Sequence, residues 1–186
     1  NSDPRSTKVN LGVGVYFDDS GKIPLLNAVK IAEKARMESM PPRGYQPIEG
    51  LVAYNQAVQA MLFGKESPLL VEGRVVTAEA LGGTGALKVG ADYLKRLLPD
   101  ANVYISDPSW ENHRGIFESA GFLVESYPYY DTATRGVNFD AMKAKLLTLP
   151  AGSIIVLHAC CHNPTGADLT KDQWVETIEA IRSRGL

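Results

Sequence analysis

The chain has 186 residues, of which 45% are hydrophobic and 22% charged, and 19 basic against 21 acidic side chains leave a formal net charge of −2. This composition is typical of a folded globular protein. The balanced charge excludes the basic surface that nucleic-acid binders need, and the chain contains no apolar run of about 20 residues that could cross a bilayer. At roughly 150 residues per domain, the length predicts one domain with a smaller appendage.

The chain contains two cysteines, Cys160 and Cys161, and they are adjacent. Adjacent cysteines match neither the disulfide framework of a small secreted domain nor a spaced set of metal ligands. The pair therefore favours a reducing compartment, and we expect a cytoplasmic protein without a metal site. Both side chains are expected to be buried as small apolar groups.

Predicted helices and strands alternate along most of the chain. Apolar side chains at helical spacing predict helices over 27–40 and 51–62, and a short strand over 75–81 leads through a glycine turn into a third helix. The later predicted elements, in chain order, are strand 103–106, helix 112–120, strand 123–127, helix 139–147, strand 153–158 and a helix that begins at a Thr170–Gln173 capping box. This alternation predicts an α/β fold in which helices cover both faces of a mainly parallel sheet.

Ligands of open parallel sheets bind beyond the carboxyl ends of the strands, and three turns of this chain occupy such places. The first, Gly82-Gly83-Thr84-Gly85, opens a helix. Free N–H groups at a helix start, the positive end of the helix dipole and the Thr84 hydroxyl together form a phosphate cradle. The turn has neither the Lys-Ser/Thr pair of a P-loop nor Rossmann spacing, so an ordinary glycine-rich turn remains the alternative.

The other two turns are 106–113 and 158–166. Trp110, just past a strand end, either stacks on a planar cofactor ring or packs in the core. In the second turn, the amide of Asn163 is a candidate hydrogen-bond partner for a ligand oxygen, and Pro164 could hold a cis peptide bond that aims it. The i and i+4 spacing of His158 and His162 disfavours zinc here, because the segment is strand and turn rather than helix.

Two earlier motifs carry weaker signals. Asn10-Leu-Gly-Val-Gly-Val-Tyr16 contains Gly12 and Gly14, which would allow close backbone approach to a ligand, and Gly44-Tyr45-Gln-Pro-Ile-Glu-Gly50 presents a tyrosine hydroxyl among turn residues. Each motif by itself also fits an ordinary turn.

The five motifs taken in order resemble those of the aspartate and aromatic amino acid aminotransferases, which are class I, fold-type I enzymes that use pyridoxal 5′-phosphate. The most specific match is Cys-Cys-His-Asn-Pro-Thr-Gly over 160–166. The resemblance runs from Asn10 to the helix of Trp174. It implies the three-layer large domain of that family, incomplete over 26–186, preceded by part of the small domain over 1–25.

The resemblance assigns cofactor contacts to particular residues. Gly82, Gly83 and Thr84 match the phosphate-binding turn. Tyr45 matches a tyrosine that reaches across a homodimer to the phosphate of the neighbouring subunit's cofactor. Trp110 matches the indole that stacks on the pyridine ring and borders the substrate.

Four further assignments also follow from the resemblance. Asn163 matches the amide that hydrogen-bonds the phenolic oxygen of the cofactor and helps to bind the substrate α-carboxylate. Gly14 lies where the small-domain backbone closes over the substrate. His113 and His158 match groups that support the partner of the pyridine nitrogen. The family holds cis peptide bonds before the equivalents of Pro108 and Pro164.

The implied function is an aminotransferase of amino acid metabolism and biosynthesis. The resemblance implies transfer of the amino group of aspartate or an aromatic amino acid to a 2-oxo acid such as 2-oxoglutarate, by a ping-pong mechanism. The family's cofactor-bearing lysine matches no lysine of this sequence, so we expect no catalytic residue in this segment and no activity from it alone.

Two alternatives to this function remain open. One is another fold-type I pyridoxal phosphate reaction, such as decarboxylation, because fold does not determine reaction. The other is a non-catalytic half-domain that uses its phosphate-binding turn as a partner surface. The sequence does not discriminate between aspartate and aromatic substrates.

Overall fold

The computed structural model describes residues 4, 5, 7, 8 and 14–186. These residues form two compact units, of which the first ends at Gln46 and the second spans Pro47–Leu186. Residues 10–13, including Gly12, lie outside the described residues. The domain boundary after residue 25 stays a prediction. Within the described part of the chain, no helix is both long and apolar enough to span a membrane.

The first unit contains one helix, α1 (Asn27–Ser39), among its described residues. Met40, with a φ of 41°, caps the helix in the left-handed conformation and donates its N–H to the carbonyl of Arg36. The helix ends there because Pro41 and Pro42 follow and cannot continue it. The helix predicted over 27–40 is confirmed.

The second unit begins with three helices, α2 (Val52–Phe63), α3 (Pro68–Val71) and α4 (Gly82–Leu97). The strand predicted over 75–81 is wrong. The segment forms no ladder with another described segment, and its one backbone bond to a distant residue runs from Glu79 N to Glu49 O at 3.0 Å. A β-strand requires a paired partner, which local sequence preference cannot supply.

A parallel sheet forms the centre of the second unit. Its strands β1 (Asn102–Asp107) and β2 (Leu123–Pro128) pair in parallel over their whole length. A small antiparallel ladder then joins β3 (Tyr130–Asp131) to β4 (Gly136–Val137). The last strand, β5 (Ile154–Ile155), pairs in parallel with the other side of β1, so the sheet order is β2-β1-β5. The strand predicted over 153–158 is therefore confirmed only at its start.

Helices cover both faces of this sheet: α5 (Glu111–Ser119), α6 (Phe139–Leu146) and α7 (Lys171–Arg184) complete the elements of the second unit. On one face, Val103 and Ile105 of β1 share a buried cluster with residues of α4 and α5. On the other face, Tyr104 packs with Met142 and Leu146 of α6. Successive residues of a strand point to opposite faces, so β1 contributes to both clusters. The predicted three-layer α/β fold is confirmed.

The start of α7 confirms the predicted capping box. The Thr170 hydroxyl accepts from the Gln173 N–H at 3.2 Å, and the Gln173 side-chain oxygen accepts from the Thr170 N–H at 3.0 Å. The reciprocal bonds satisfy N–H groups that the helix itself leaves free.

Candidate functional site

The carboxyl ends of β1 and β5 bring two of the predicted turns together. Strand β1 ends at Asp107 and leads through Trp110 into α5, and β5 leads into the loop 158–168. Neighbouring parallel strands end at the same edge of a sheet, so the two turns lie side by side. The Asp107–Pro108 and Asn163–Pro164 peptide bonds are both cis, as the family resemblance implied.

Trp110 contacts the first of three histidines that lie in a row. Its ring centroid is 5.3 Å from that of His113, which in turn is 5.0 Å from that of His158, both pairs meeting edge to face. Ser109 Oγ lies 2.9 Å from His113 Nδ1 and fixes the orientation of that ring. Trp110 is half-buried, packs against the core and lines a cleft of about 360 Å³. The indole therefore both packs against the core and borders a cleft. Core packing, one of the two interpretations of Trp110 from the sequence, is present, and the cleft leaves room for the other, stacking on a planar ring.

His158 is held by the backbone of Asn163, whose N–H donates to His158 Nδ1 at 3.0 Å. Because Nδ1 accepts, the neutral ring carries its proton on Nε2. That Nε2 is buried and has no hydrogen-bond partner among the described residues. A buried donor without a partner is costly, so this N–H suits an acceptor supplied by a ligand or by another part of the protein.

Asn163 presents its side chain to solvent, and the amide has no hydrogen bond within the described part of the chain. The backbone before it is fixed by Asp168, whose two carboxylate oxygens accept from the N–H groups of Cys161 and His162, each at 2.8 Å. These backbone hydrogen bonds lower the pKa of Asp168. The amide is thus free to bind a ligand while its loop is held in place.

His162, which no sequence motif singled out as a site residue, lies at the centre of this loop. It is 2% exposed, and its ring nitrogens lie 2.8 Å from Ser106 Oγ and 2.8 Å from Thr165 Oγ1. The one feature of the sequence that could have identified His162 is its position between Cys161 and Asn163. Its spacing from His158 bears only on zinc ligation, and its hydrogen-bond partners are separated from it by up to 56 residues.

The three histidines favour the neutral form. Burial is the main cause that lowers the pKa of His113 and of His158. Burial, then repulsion from His158, lowers the pKa of His162 to about 4. Tyr129, which stacks on His162, has a pKa raised to about 12 by burial and by the nearby Asp168 carboxylate. At neutral pH the row is therefore a set of uncharged hydrogen-bonding rings.

The glycine turn forms the start of α4, with Gly82 at a φ of +65°. No side chain caps this helix, and the N–H groups of Gly83 and Thr84 make no hydrogen bond within the described residues. A Cβ added at Gly82 or Gly83 would meet no atom within 4 Å. The first turn of α4 therefore presents free N–H donors and the Thr84 hydroxyl, as a phosphate cradle requires.

Thr84 lies close to the turn that carries Trp110. With Glu111 and Asn112 of α5 it lines a cleft of about 330 Å³. The structure thus places the phosphate-cradle candidate beside the start of α5.

Gly14 and Tyr45 lie in the first unit, apart from this group of residues along the chain. Tyr45 is fully exposed, and a Cβ added at Gly14 would meet no atom within 4 Å. Their assigned roles stay predictions. The expected burial of the cysteines is wrong, because Cys160 and Cys161 are both exposed in the turn after β5.

Comparison with known proteins gives concordant matches over almost the whole chain. The family model described as aminotransferase class I and II matches residues 6–186. Aspartate aminotransferase of Pseudomonas aeruginosa is 62% identical, over 100% of this chain and 46% of that protein. Aromatic-amino-acid aminotransferase of Escherichia coli is 55% identical, over 99% of this chain and 47% of that protein.

Solved structures agree with these matches. The aromatic-amino-acid aminotransferase from Burkholderia pseudomallei, covalently bound to pyridoxal phosphate, superposes with a TM-score of 0.93 and 62% identity, over 99% of this chain and 46% of that chain. Cytoplasmic aspartate aminotransferase from Saccharomyces cerevisiae superposes with a TM-score of 0.90 and 42% identity, over 98% of this chain and 44% of that chain. The chain spans about half the length of the relatives it matches. On these matches, the chain belongs to the aminotransferase class I and II family.

Proposed function

We propose that this chain is part of a pyridoxal phosphate-dependent aminotransferase that moves the amino group of aspartate or an aromatic amino acid to a 2-oxo acid. The observation that carries the proposal is the grouping of unused donors at one edge of the sheet: the helix start at Thr84, the half-buried indole of Trp110 and the free amide of Asn163. The names of the relatives, and the pyridoxal phosphate bound by the Burkholderia pseudomallei enzyme, support it.

The residues present fit this cofactor chemically. The N–H groups of Gly83 and Thr84 would bind the phosphate, because a helix start with free donors suits a dianion. Trp110 would stack on the pyridine ring, and Asn163 would donate to the phenolic oxygen. The orphaned Nε2–H of His158 would donate to the acceptor that pairs with the pyridine nitrogen.

When bound, pyridoxal phosphate supplies an electron sink for negative charge that develops at the substrate α-carbon. The part of the chain that the structure describes would bind the cofactor and the substrate and orient them. The Asn163 amide would donate to the substrate carboxylate as well as to the cofactor, and the neutral histidines behind the turn would add no positive charge there. Two further roles are proposed from the family resemblance alone: the backbone of Gly14 would approach the substrate, and Tyr45 would reach the phosphate of the other subunit in a homodimer.

No residue of this segment is proposed to move a proton at the α-carbon. The lysine that carries the cofactor, and with it the acid–base chemistry, is assigned to a part of the protein outside this sequence. The proposal places the protein in the cytoplasm, as an enzyme of amino acid biosynthesis.

Borohydride reduction of the full-length gene product tests the proposal. After incubation with pyridoxal phosphate and reduction, mass spectrometry of the peptides should find the cofactor on one lysine outside residues 1–186. A protein in which no lysine carries the cofactor would refute the proposal.

Amino-donor assays then separate the possible reactions. Aspartate, tyrosine and phenylalanine are each supplied with 2-oxoglutarate, and formation of glutamate is measured beside release of carbon dioxide. Glutamate is the product expected of an aminotransferase, whereas carbon dioxide without glutamate would identify a decarboxylase of the same fold.

A further inference from the structure

His162 occupies a place that the proposed function leaves without a task. It is 2% exposed, while the adjacent Asn163 is exposed and carries the amide assigned to the ligand. A buried residue next to a binding residue can act on the ligand only through its neighbour.

Both edges of the His162 ring are used. Nε2 lies 2.8 Å from the hydroxyl of Ser106 at the end of β1, and Nδ1 lies 2.8 Å from the hydroxyl of Thr165 in its own loop. A neutral imidazole has one donor and one acceptor, and a hydroxyl can serve as either, so both contacts are satisfied at once. The ring therefore connects the loop to the central strand of the sheet.

Both faces of the ring are used as well. Tyr129 stacks on one side with centroids 3.9 Å apart and planes 16° apart, and His158 stacks with centroids 4.5 Å apart and planes 29° apart. The main chain of His162 is also held, because its N–H donates to Asp168 at 2.8 Å. The next residue, Asn163, donates its own N–H to His158. The backbone on which the Asn163 amide stands is thus fixed from several directions.

We propose that His162 is a positioning residue, which, through Ser106 and Thr165, holds the Asn163 amide at the edge of the sheet where the ligand oxygen binds. The identity of that oxygen rests on the proposed function. The connection of the loop to β1 rests only on the contacts given above. If His162 merely filled space, any planar ring of its size could replace it. If it is a positioning residue, its two hydrogen bonds are required.

Three variants of the full-length protein separate these roles. His162→Phe keeps a stacking ring and removes both bonds, and Ser106→Ala removes the bond between His162 and β1. Thr165→Val removes the bond between Thr165 and His162, and with it the bond that Thr165 Oγ1 accepts from the Ala167 N–H at 3.1 Å. The matched control is Ser153→Ala: Ser153 is also a buried serine, 5% exposed, but it lies before β5 and donates to Pro150 O at 2.7 Å.

The readouts are cofactor affinity, the pH midpoint of the bound cofactor's visible absorption, and thermal unfolding of the apoprotein. Loss of a correctly placed hydrogen bond to a ligand should raise the dissociation constant of pyridoxal phosphate roughly fivefold to tenfold in His162→Phe and Thr165→Val. Removing a donor from an anionic oxygen makes that oxygen more basic, so the absorption midpoint should move upward by about half a pH unit or more. Ser153→Ala should change neither quantity.

Two outcomes would overturn the proposal. In the first, His162→Phe lowers the unfolding temperature while affinity and midpoint stay as in the wild type, which is the behaviour of a space-filling residue. In the second, Thr165→Ser, which keeps the hydroxyl, is as impaired as Thr165→Val. If His162→Phe does not fold, Ser106→Ala and Thr165→Val decide between the same outcomes.

Failure of the proposed function has a different signature, because the wild type itself would then bind no pyridoxal phosphate. In that case crystal structures of the apoprotein decide. Displacement of Asn163 in Thr165→Val but not in Ser153→Ala supports the positioning role, and an unmoved Asn163 refutes it.

Discussion

The chemistry of this chain depends on a few polar groups that have no partner of their own. The N–H groups of Gly83 and Thr84, the amide of Asn163 and Nε2 of His158 all lack a hydrogen bond within the described residues. Most polar groups of folded proteins that are removed from water are satisfied, so the buried, unpaired Nε2 of His158 indicates a partner outside the described residues. The donors at Gly83, Thr84 and Asn163 are exposed and therefore accessible to a ligand.

Thr84→Val tests the phosphate cradle. The change keeps the β-branched shape at the start of α4 and removes a hydroxyl that has no bond within the described residues. Loss of one hydrogen bond to a charged phosphate should weaken pyridoxal phosphate binding by the full-length protein roughly tenfold, measured by equilibrium titration of the apoprotein. Thr148→Val is the control, because the Thr148 hydroxyl donates only to Lys145 O outside the site. Equal affinity of Thr84→Val and wild type would contradict the assignment.

The lowered pKa of His162 predicts a pH dependence of stability. Its folded pKa of about 4 lies below the ordinary value of 6.5, so the unfolded chain binds more protons between these values. The free energy of unfolding is therefore highest above about pH 6.5 and falls as pH is lowered toward about 4, by up to about 1.4 kcal/mol per pH unit for one proton. Burial lowers the pKa values of His113 and His158 and adds to this slope in the same direction.

Urea unfolding of the apoprotein between about pH 4.5 and 7 measures the slope. His162→Phe removes one titrating group and should flatten it. The pKa of Asp168 is lowered from 3.8, so the stability that its carboxylate contributes is lost only below this pH range. Asp168 therefore does not affect the comparison of the wild type with His162→Phe. An unchanged slope in the variant would show that His162 does not remain neutral in the folded protein.

Secondary-structure elements decide where these groups meet. The order β2-β1-β5 places the turn after β1 beside the turn after β5, and α4 and α5 share a buried cluster on one face of the sheet. Helix α4 thereby delivers its first turn next to the first turn of α5. The Asp168 contacts then shape the loop after β5.

Gly50→Ala tests the approach of a turn to the extended segment before α4. Gly50 has a φ of +88°, and an added Cβ would lie 2.5 Å from Glu79 Cβ and 2.6 Å from Glu79 Cγ. Glu79 cannot move freely, because its carboxylate accepts from the Leu51 N–H at 2.6 Å. Backbone strain and the clash together should lower the free energy of unfolding by about 1–3 kcal/mol, measured by urea unfolding.

Gly90→Ala is the matched control within a helix. Gly90 lies inside α4, and a Cβ added there would meet no atom within 4 Å. Alanine at such a position should raise the free energy of unfolding by about 0.5–1 kcal/mol. Equal effects of the two substitutions would show that neither φ nor space at Gly50 matters.

At the scale of the whole molecule, large apolar side chains remain in contact with solvent. Ile48 is fully exposed, and Val76 and Leu81, in the extended segment before α4, are each 94% exposed. Soluble proteins rarely leave extended apolar areas uncovered. The chain spans 46% of its Pseudomonas aeruginosa relative, and we expect further parts of the protein to cover these residues.

Expression of residues 1–186 alone tests this expectation. The segment should bind an apolar dye strongly, associate in size-exclusion chromatography and show no transamination. The full-length protein should bind little dye and transfer amino groups. A segment that is monomeric and does not bind dye would mean that the exposed apolar residues need no cover.

The local pattern of residues determined much of this protein. The capping box at Thr170, the helix that stops before Pro41 and the alternation of strands with helices are set by neighbours a few positions apart, so they could be predicted and are confirmed. The motif residues Thr84, Trp110 and Asn163 were also predicted, because backbone turns and stacking rings require particular residue types.

Only the tertiary structure decided the remaining features. The segment 75–81 is not a strand because pairing depends on a partner that no local pattern specifies. The role inferred for His162 depends on Ser106, 56 residues away, and on Tyr129, both brought to it by the sheet. Contacts of this kind follow from the packing of distant elements, and residue spacing along the chain carries no information about them until the sheet order is known.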